Sequence, residues 1–581
     1  MAATALPRLD LPAAFGLGLA ALLALGPLEL RDSLPLGPVN LTTTEILAAL
    51  AAGLGLLATL QRRLVDKTPM IPVVLRWPLA ALAAWAAVHL ASAVWASGDR
   101  GHVAKAGLRI AGQITLAGLA ALWAQHPRVR QRAMAGALTG LGIITLLGLA
   151  ERTLGRGAEF LLVQFRDEPT WMLGEQRLST VFYHANTCAA YLEITAPLLL
   201  VVAAAPGQKR WVRGVFLLWA AVVAVLLSLT YSRAGLAAGM VGALTLVWAA
   251  RWREQSRLWR GIAIGYALLV LGAYAANPDM RARIGLDERS YRPHYHWLEG
   301  CVGHPGERLQ VPLQIRNRGT WDLANRQAPA HVVHTWLTRT GQQLLDAWDY
   351  TAMPDLPAGA TVTVVVPLDL PSRPGDYVVA ADILRDRVLR ISGVGAPLAL
   401  LNCTVVPAGE PLPPPSDKRL DISQFDGVRA WRGLDLERRH YWRAALLLWE
   451  RKPWLGWGSD RFALIHREYV PAQGYDPRAR AHSIVLETAV DLGLLGVAVL
   501  ALLLVTVGRA VRLAFRQRWG SDRGAALAIA AGLCGLIVHS TVDFFFAYTQ
   551  IAVVVWPLIG LLLGLAGHRA APVEPPAASL P

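Results

Sequence analysis

The sequence is poor in charged residues and in cysteine. Of its 581 residues only 17% are charged whereas 54% are hydrophobic, and cysteine occurs four times. No pairing of cysteine and histidine has the spacing of a zinc site. The chain also has neither a glycine-rich phosphate loop nor a paired-aspartate metal motif. The sequence therefore predicts no metal site and no cofactor.

Acidic residues are fewer than basic ones. The chain has 56 Lys and Arg against 41 Asp and Glu, a formal net charge of +15. In a soluble protein such an excess suggests a nucleic-acid partner. Here most of it lies in short loops between apolar runs, where it reports membrane topology. We therefore expect no nucleic-acid partner.

Apolar runs long enough to cross about 30 Å of hydrocarbon recur along the chain. We interpret Leu11 to Leu30 as the first of them and not as a cleavable signal peptide. Twelve spans are predicted, at 11–30, 44–61, 72–97, 104–124, 131–150, 181–204, 212–231, 234–250, 260–276, 482–508, 524–542 and 544–566. The sequence predicts a polytopic α-helical protein in a lipid bilayer, with nine spans in 1–276 and three in 482–566.

Basic loops define the sides of the membrane. The loops after the second, fourth, sixth, eighth and tenth spans each carry several Arg or Lys residues. Basic loops mark the cytoplasmic side, so both termini, including the tail 567–581, are predicted to be cytoplasmic. Alternation of sides then places 151–180 and 277–481 outside.

The outer interval 277–481 changes character along its length. Residues 277–305 are interpreted as a periplasmic connector. Residues 306–406 contain short alternating segments separated by turns, which predicts an inserted all-β sandwich similar to small immunoglobulin-like modules. Residues 407–437 form a proline-rich linker. The remaining part, 438–481, is predicted to be a periplasmic catalytic segment.

The four cysteines divide into two pairs. Cys188 and Cys534 lie in apolar spans and are expected to be small buried hydrophobes. Cys301 and Cys403 bracket the predicted sandwich, in a compartment that permits disulfides. We predict that Cys301 and Cys403 form one.

Residues suited to chemistry on a charged lipid lie close together in the chain. Arg438 and Arg439 open the segment, a Pro-Trp-Leu-Gly-Trp-Gly turn follows at 453–458, and Ala481-His482-Ser483 begins a long apolar helix. Arginine can hold phosphate oxygens through two parallel hydrogen bonds, and histidine can move a proton near pH 7. This combination suits a lipid with a phosphorylated head group at the membrane surface.

These motifs resemble the signature of the O-antigen ligase and polymerase superfamily. In that family an Arg-xxx-Trp element, a Pro-x-x-Gly-x-Gly turn and an Ala-His-Asn helix start occur in this order. The resemblance implies that Arg438, which precedes Trp442, contacts a diphosphate, with Arg439 beside it and Arg292 as the alternative. Arg233, in a Ser-Arg-Ala-Gly turn, resembles the other essential arginine of the family.

The resemblance extends to further site residues. His482 takes the place of the catalytic histidine, and Ser483 stands where the family usually has asparagine. Asn186 resembles the asparagine of an aromatic-x-x-x-Asn element, and Glu193, an ionisable residue in the following span, is a further substrate-binding candidate. The closing element, His539-Ser540-Thr541-Val542-Asp543, is interpreted as mainly a structural hinge at the outer face.

The resemblance implies a metal-independent glycosyltransferase of the bacterial inner membrane. It would move a preassembled glycan from undecaprenyl diphosphate to an acceptor on the periplasmic face. Lipid A-core is the first choice of acceptor, which makes the protein a ligase. A growing glycan, as in a polymerase, and a protein hydroxyl remain open. A non-catalytic transporter is less favoured, because the polar residues cluster at the outer face and not at the bilayer midplane.

Overall fold

The fold is a bundle of long helices with a β-sheet module inserted between its tenth and eleventh helices. The computed structural model describes residues 10–36, 39–65, 71–166, 171–172, 175–250, 256–277, 280–281, 291–326, 329–338, 343–344, 350–385, 389–394, 396–414, 436–469, 479–516 and 521–566.

Fifteen α-helices are described, most of them apolar along their length. They are α1 Leu11–Leu25, α2 Thr43–Val65, α3 Val73–Trp95, α4 Arg100–Trp123, α5 Pro127–Leu154, α6 Arg156–Leu162, α7 Ala185–Ala203, α8 Arg210–Leu229, α9 Arg233–Ala250, α10 Ser256–Ala276, α11 Leu436–Arg451, α12 Phe462–Ile465, α13 Ile484–Arg516, α14 Ser521–Ser540 and α15 Thr549–Ala566. Two 3₁₀ turns, His466–Tyr469 and Ile391–Val394, add to them.

Ten of the described helices are long and apolar enough to cross a membrane. The apolar helices α1 and α9 are not among these ten. Each of the twelve predicted spans coincides with one of these twelve helices. The polytopic helical class is therefore confirmed, whereas the count of twelve spans stays a prediction.

The centre of the bundle is formed by α7, α14 and α15. Nearly every residue of α7 and every residue of α15 after Thr549 are buried. Small residues allow this close packing: a Cβ atom on Gly532 of α14 would lie 2.3 Å from the Ile194 carbonyl oxygen of α7. The N-terminus of α7 and the connection between α14 and α15 are thereby brought together at one end of the bundle.

The inserted module consists of two sheets. Its strands are β5 Pro293–Trp297, β6 Cys301–Gly303, β7 Arg308–Asn317, β8 Ala330–Thr338, β9 Gln343–Leu344, β10 Tyr350–Ala352, β11 Thr361–Asp369, β12 Gly375–Arg385, β13 Leu389–Arg390 and β14 Ala399–Val405. The larger sheet has the strand order β10-β8-β12-β14-β6, with β9 on β8 and β13 on β12, and the smaller has the order β11-β7-β5. Among these described strands, every pair is antiparallel except β14 with β6. Short pairs elsewhere are β1 Leu34–Leu36 with β2 Val39–Leu41, and β3 Trp171–Met172 with β4 Glu175–Gln176.

Side chains along the strands of the module alternate between buried and exposed positions, as β7 shows. On β7 the side chains of Val311, Leu313 and Ile315 are buried and belong to the same hydrophobic cluster as Val379 and Ile383 of β12. This period of two is what the sequence pattern indicates for half-buried strands. The strands begin at 293, so β5 and β6 lie inside the stretch interpreted as a connector. The description of the module as a sandwich stays a prediction.

Cys301 and Cys403 are neighbours in the module. They are directly opposite each other in the parallel pair β6 and β14, with Cα atoms 4.5 Å apart, and their sulfur atoms form a disulfide. Cys188 is buried and Cys534 is partly buried, both as free thiols. The disulfide thus links the beginning of the module to its last strand.

Helix α13 is broken at Gly493, which has φ 64° and ψ −160°. The turn at 453–458 lies against the break and satisfies backbone groups there: the Leu494 amide donates to the Pro453 carbonyl at 2.8 Å, and the Trp457 amide donates to the Val490 carbonyl at 2.9 Å. Irregular backbone at membrane depth is tolerated where protein surrounds it. The span predicted as one continuous helix at 482–508 is therefore two helical segments held by this turn.

Replacing Gly493 by alanine is expected to destabilise the protein. Its φ is left-handed, which costs a non-glycine residue about 1–2 kcal/mol, and an added Cβ would lie 2.3 Å from the backbone of Trp454. Gly508→Ala, on the same helix with no atom within 4 Å of an added Cβ, is the matched control. Thermal unfolding in detergent should show a lower midpoint for Gly493→Ala only. Equal unfolding midpoints for Gly493→Ala and Gly508→Ala would contradict the close contact between Gly493 and the turn at 453–458.

Candidate active site

Asp543 is the centre of a polar cluster in the connection between α14 and α15. Its Oδ1 accepts hydrogen bonds from His482 Nδ1 at 3.1 Å and from the Phe544 amide at 2.9 Å. Its Oδ2 accepts from Asn186 Nδ2 at 2.9 Å and lies 3.7 Å from Arg438 Nη2. One carboxylate thus joins residues that precede α13, begin α7 and lie on α11.

Asp543 is ionised at neutral pH. Burial raises the pKa of this carboxyl, but the hydrogen bond from His482 and the charge of Arg438 outweigh burial and hold the pKa well below its usual range. Because an ionised carboxylate can only accept hydrogen bonds, Nδ1 of His482 carries the proton. When the ring is neutral, the other nitrogen, Nε2, is the proton acceptor.

The backbone at His482 is strained. Its φ of 47° lies in the left-handed region, which a non-glycine residue adopts only where its surroundings enforce it. The Ala481 amide donates to Glu487 Oε2 at 2.6 Å, and the Tyr441 ring meets the His482 ring edge-on at 5.7 Å between centroids. Ser483 is buried, and its carbonyl accepts the Glu487 amide at 2.9 Å as α13 begins. These contacts fix the histidine ring.

Arg177 belongs to the site although no sequence motif marked it. Its Nη2 donates to Asn186 Oδ1 at 2.9 Å, and its Nε donates to the Thr230 carbonyl at 2.9 Å. Thr230 lies in the hinge that ends at Arg233, the first residue of α9. Arg177 therefore connects the Asp543 cluster to the hinge that carries the predicted Arg233. The nearest sequence signal is its position shortly before the aromatic-x-x-x-Asn element.

The hinge before Arg233 is held from two sides. Ser232 Oγ accepts the Gly235 amide at 3.1 Å, which caps the start of α9. The Tyr274 hydroxyl donates to the Ser232 carbonyl at 3.0 Å. The Arg233 side chain itself is partly buried. Its position at this fixed turn agrees with a role at the outer face.

Glu193 does not lie with the other predicted site residues. It is fully buried on α7 and accepts from His539 Nδ1, with 3.0 Å to each carboxylate oxygen. It is seven residues, or about 10 Å along the helix axis, beyond Asn186. The closing element thus divides: His539 pairs with Glu193 inside the bundle, whereas Asp543 joins His482. The interpretation of that element as mainly structural stays a prediction.

The two candidates for the second arginine differ in position. Arg438 approaches Asp543, while Arg292 precedes β5 and its carbonyl accepts the Arg318 amide at 2.8 Å inside the β-sheet module. The geometry therefore favours Arg438. Arg439 lies on α11, and its side chain is outside the described residues.

A second ionic cluster supports the segment before His482. Arg480 donates to Asp460 and lies 3.4 Å from Glu487, and Asp460 Oδ2 lies 2.9 Å from His102 Nε2. Burial raises the pKa of Asp460, but hydrogen bonds from His102 and Arg480 lower it to about 2. Asp491 accepts the Asp460 amide at 2.7 Å. These bonds attach the end of the turn at 453–458 to both α4 and α13.

Within the parts of the chain that the structure describes, no group of three or more His, Cys, Asp and Glu side chains could hold a metal ion. The charged groups around Asp543 include two guanidinium groups, Arg438 directly and Arg177 through Asn186. The site can therefore stabilise an anion and accept a proton.

Residues 385–501 match a protein-family model described as O-Antigen ligase. This segment of the chain is similar to the O-antigen ligase family. The predicted resemblance to this superfamily is thereby confirmed. The matched segment contains Arg438, the turn at 453–458 and His482, and it ends before Asp543. Together with the ten described helices that are long and apolar enough to cross a membrane, the match supports a multi-pass membrane protein of the glycosyltransferase type.

Other comparisons add little. Comparison with curated proteins gives no match. Among solved structures, the chain has a TM-score of 0.17 and 11% identity to the Pseudomonas fluorescens alkylpurine DNA glycosylase AlkC bound to DNA containing an abasic site analog. That match covers 58% of this chain and 100% of the glycosylase chain. At this TM-score the likeness carries no argument.

Removing the negative charge of Asp543 is expected to destabilise the folded protein. Asp543→Asn leaves Arg438 and His482 without their counter-charge, which should cost about 1–3 kcal/mol. Asp369→Asn is the control, because Asp369 forms an exposed pair with Arg308 at 3.6 Å and should change stability by less than about 1 kcal/mol. Thermal unfolding at neutral pH measures both.

The difference in stability between the wild-type protein and Asp543→Asn should depend on pH, because folding lowers the pKa of Asp543. A carboxylate whose pKa falls on folding stabilises the protein above its unfolded-state pKa, which is about 3.9 for Asp. The contribution is lost as the pH falls below that value. The gap between the wild-type protein and Asp543→Asn should therefore be constant near neutrality and narrow below about pH 4. Equal stability of the wild-type protein and Asp543→Asn at pH 7 would contradict the charge pairing around Asp543.

Proposed function

We propose that the protein transfers a preassembled glycan from undecaprenyl diphosphate to an acceptor at the periplasmic face of the bacterial inner membrane. The observation that carries the proposal is the contact between His482 and the ionised Asp543, beside Arg438. It provides an oriented proton acceptor next to a fixed cation. The family match at 385–501 supports glycosyl transfer to an acceptor over other reactions that such a site could catalyse.

The reaction has two chemical requirements. The acceptor hydroxyl attacks the sugar carbon that is bonded to the diphosphate, so a new C–O bond forms while the bond to the diphosphate oxygen breaks. His482 Nε2 takes the hydroxyl proton, and Asp543 stabilises the resulting imidazolium. Such general-base assistance contributes about 10²- to 10⁴-fold in rate.

The leaving lipid diphosphate carries additional negative charge. We assign this charge to Arg233 and Arg438, because a guanidinium group matches phosphate oxygens with two parallel hydrogen bonds and stays protonated. One donor aimed at developing charge is worth about 3 kcal/mol. In this scheme the arginines stabilise the leaving diphosphate, as a divalent metal does in other transferases, and no cofactor takes part.

The position of the site supports the periplasmic assignment. Segments that the charge pattern places outside are in contact with one another: Lys452 donates to Ser97, and His102 at the start of α4 pairs with Asp460. Gln550 at the start of α15 also bonds the Val181 carbonyl at 3.1 Å. We infer that these segments form the periplasmic surface, with the β-sheet module as an appended sandwich on the same side.

Lipid A-core is the acceptor that we propose, following the description of the matched family. A growing glycan would make the same site a polymerase, and a protein hydroxyl would make it a protein O-oligosaccharyltransferase. The chemistry at His482 is identical in all three reactions. The acceptor is therefore decided by which hydroxyl receives the glycan in a transfer assay.

The proposal is tested with purified protein and a synthetic undecaprenyl diphosphate glycan. His482→Ala should lose about 10²-fold or more in turnover, because the proton acceptor is gone. Arg233→Ala and Arg438→Ala should instead weaken donor binding, and lysine at either position should rescue poorly because an ammonium lacks the planar fork. His296→Ala on β5 and Arg210→Ala at the predicted cytoplasmic end of α8 are the matched controls.

Three results would contradict this account. Near-normal turnover of His482→Ala rejects the base assignment. Unchanged donor affinity in both arginine variants rejects the diphosphate contacts. Loss of wild-type activity in the presence of a metal chelator rejects the metal-free scheme.

A further inference from the structure

The turn at 453–458 has an exposed apolar tip, formed by Trp454 and Leu455. The side chain of Trp454 is 72% exposed and that of Leu455 is 43% exposed. Two nearby tryptophans hold the turn instead: Trp457 Nε1 donates to a carbonyl of α11 at 2.8 Å, and Trp449 Nε1 donates to the first carbonyl of the turn at 3.3 Å. The internal bonds of the turn thus use those two indoles and leave the Trp454 ring at the surface.

The tip is continuous with the surface of two long helices. The Leu495 amide of α13 donates to the Trp454 carbonyl at 3.2 Å, and Trp95 Nε1 at the end of α3 donates to the Leu455 carbonyl at 2.7 Å. Leu494 and Leu495 are themselves exposed. These contacts join the tip and the adjoining part of α13 into one apolar patch. Such a patch on a protein surface marks a contact with a membrane or with another protein.

The length of α13 places this patch at the level of the outer leaflet. Arg509 is the first basic residue of α13 and marks its predicted cytoplasmic end. At about 1.5 Å per residue, Gly493 lies about 24 Å from Arg509 along the helix. Because the hydrocarbon is about 30 Å thick, Gly493 and the turn against it lie about 6 Å inside its outer boundary. A tilted helix places them deeper.

The cations that precede the tip are directed elsewhere. Lys452 donates to Ser97 Oγ, beyond the end of α3, and its Nζ lies 4.4 Å from the centre of the Trp457 ring. The Arg451 guanidinium lies over the Tyr469 ring at 5.0 Å. The turn itself contains no charged residue. Hydrocarbon fits this distribution, because an uncharged apolar tip can enter it while the neighbouring cations stay at head-group level.

We propose that the tip is inserted into the hydrocarbon of the outer leaflet and anchors the turn to the bilayer. An indole suits this boundary, because its ring is apolar and its N–H group can reach water. The segment 438–481, predicted from its sequence to be periplasmic, then enters the membrane at its middle. The proposal rests on the surface of the turn and goes beyond the transfer reaction.

The test is a nitroxide spin label on Trp454→Cys in the full-length protein, reconstituted in vesicles of phosphatidylcholine and phosphatidylglycerol. Collisions of the label with oxygen, which concentrates in hydrocarbon, are compared with collisions with a nickel chelate, which stays in water. Oxygen collisions should exceed nickel collisions at Trp454→Cys. The same order is expected at Val505→Cys on α13, where the side chain is 68% exposed.

Three further samples serve as controls. Val365→Cys on β11, where the side chain is 51% exposed, is the water-facing control and should show the opposite order. Leu455→Cys repeats the measurement at the second residue of the tip, so the test stands even if Trp454→Cys fails to fold. The wild-type protein, with the free thiols of Cys188 and Cys534, gives the background of unspecific labelling.

Two results would overturn the proposal. Nickel collisions that exceed oxygen collisions at both tip positions show that the tip lies in water. Few collisions with either reagent show that protein, such as a second copy of the chain, covers the tip. Transfer activity is not measured here, so either result leaves the proposed role of His482 unchanged. Normal turnover of His482→Ala, in turn, contradicts only the transfer proposal.

Discussion

The structure depends on the buried carboxylate of Asp543. A buried charge is costly unless it is paired and hydrogen-bonded, and removing one partner leaves the others uncompensated. Asp543 meets this requirement by collecting His482, Asn186 and Arg438 from three separate parts of the chain. The contacts that compensate the buried charge of Asp543 also orient the ring of His482 and hold Arg438 near it. The same contacts therefore determine both the stability of the fold and the geometry of the site.

A second constraint concerns the break in α13 at Gly493, which lies outside the proposed catalytic site. The break at Gly493 would leave backbone groups of α13 unpaired in the interior of the bundle. The turn at 453–458 supplies their partners, and the ionic cluster of Asp460 and Arg480 attaches the end of that turn to α4 and α13. Because Arg480 and His482 are two residues apart, this anchoring also fixes the strained backbone of the histidine. The glycine-rich turn therefore positions the site without touching it.

The features predictable from the sequence are those that repeat or have a short-range signal. Apolar runs predicted the long apolar helices, and alternating segments predicted strands within 306–406, because burial imposes a period on each element. Strands β5 and β6 lie before that range. Arg438 and His482 could be found because their motifs occupy contiguous stretches. The structure then brings them to one place, with Asp543 between them.

The remaining features depend on tertiary proximity. Arg177 has no motif, and its importance follows only from its bonds to Asn186 and to the hinge before Arg233. Glu193 and Asp543 are both acidic residues near polar elements, so residue type could not tell which one pairs inside the bundle and which joins His482. The break in α13 follows from a single glycine within a long apolar run. Each of these became visible only when the partner atoms were known.

The central claim is that His482 and Asp543 act as one unit in proton transfer. A double-mutant cycle on turnover tests it most directly, using His482→Ala, Asp543→Asn and the double variant with donor at saturation. If Asp543 acts by orienting His482, the double variant should be about as slow as His482→Ala alone, because residues that act as a unit are strongly non-additive. Losses that multiply would show independent roles and would contradict the account.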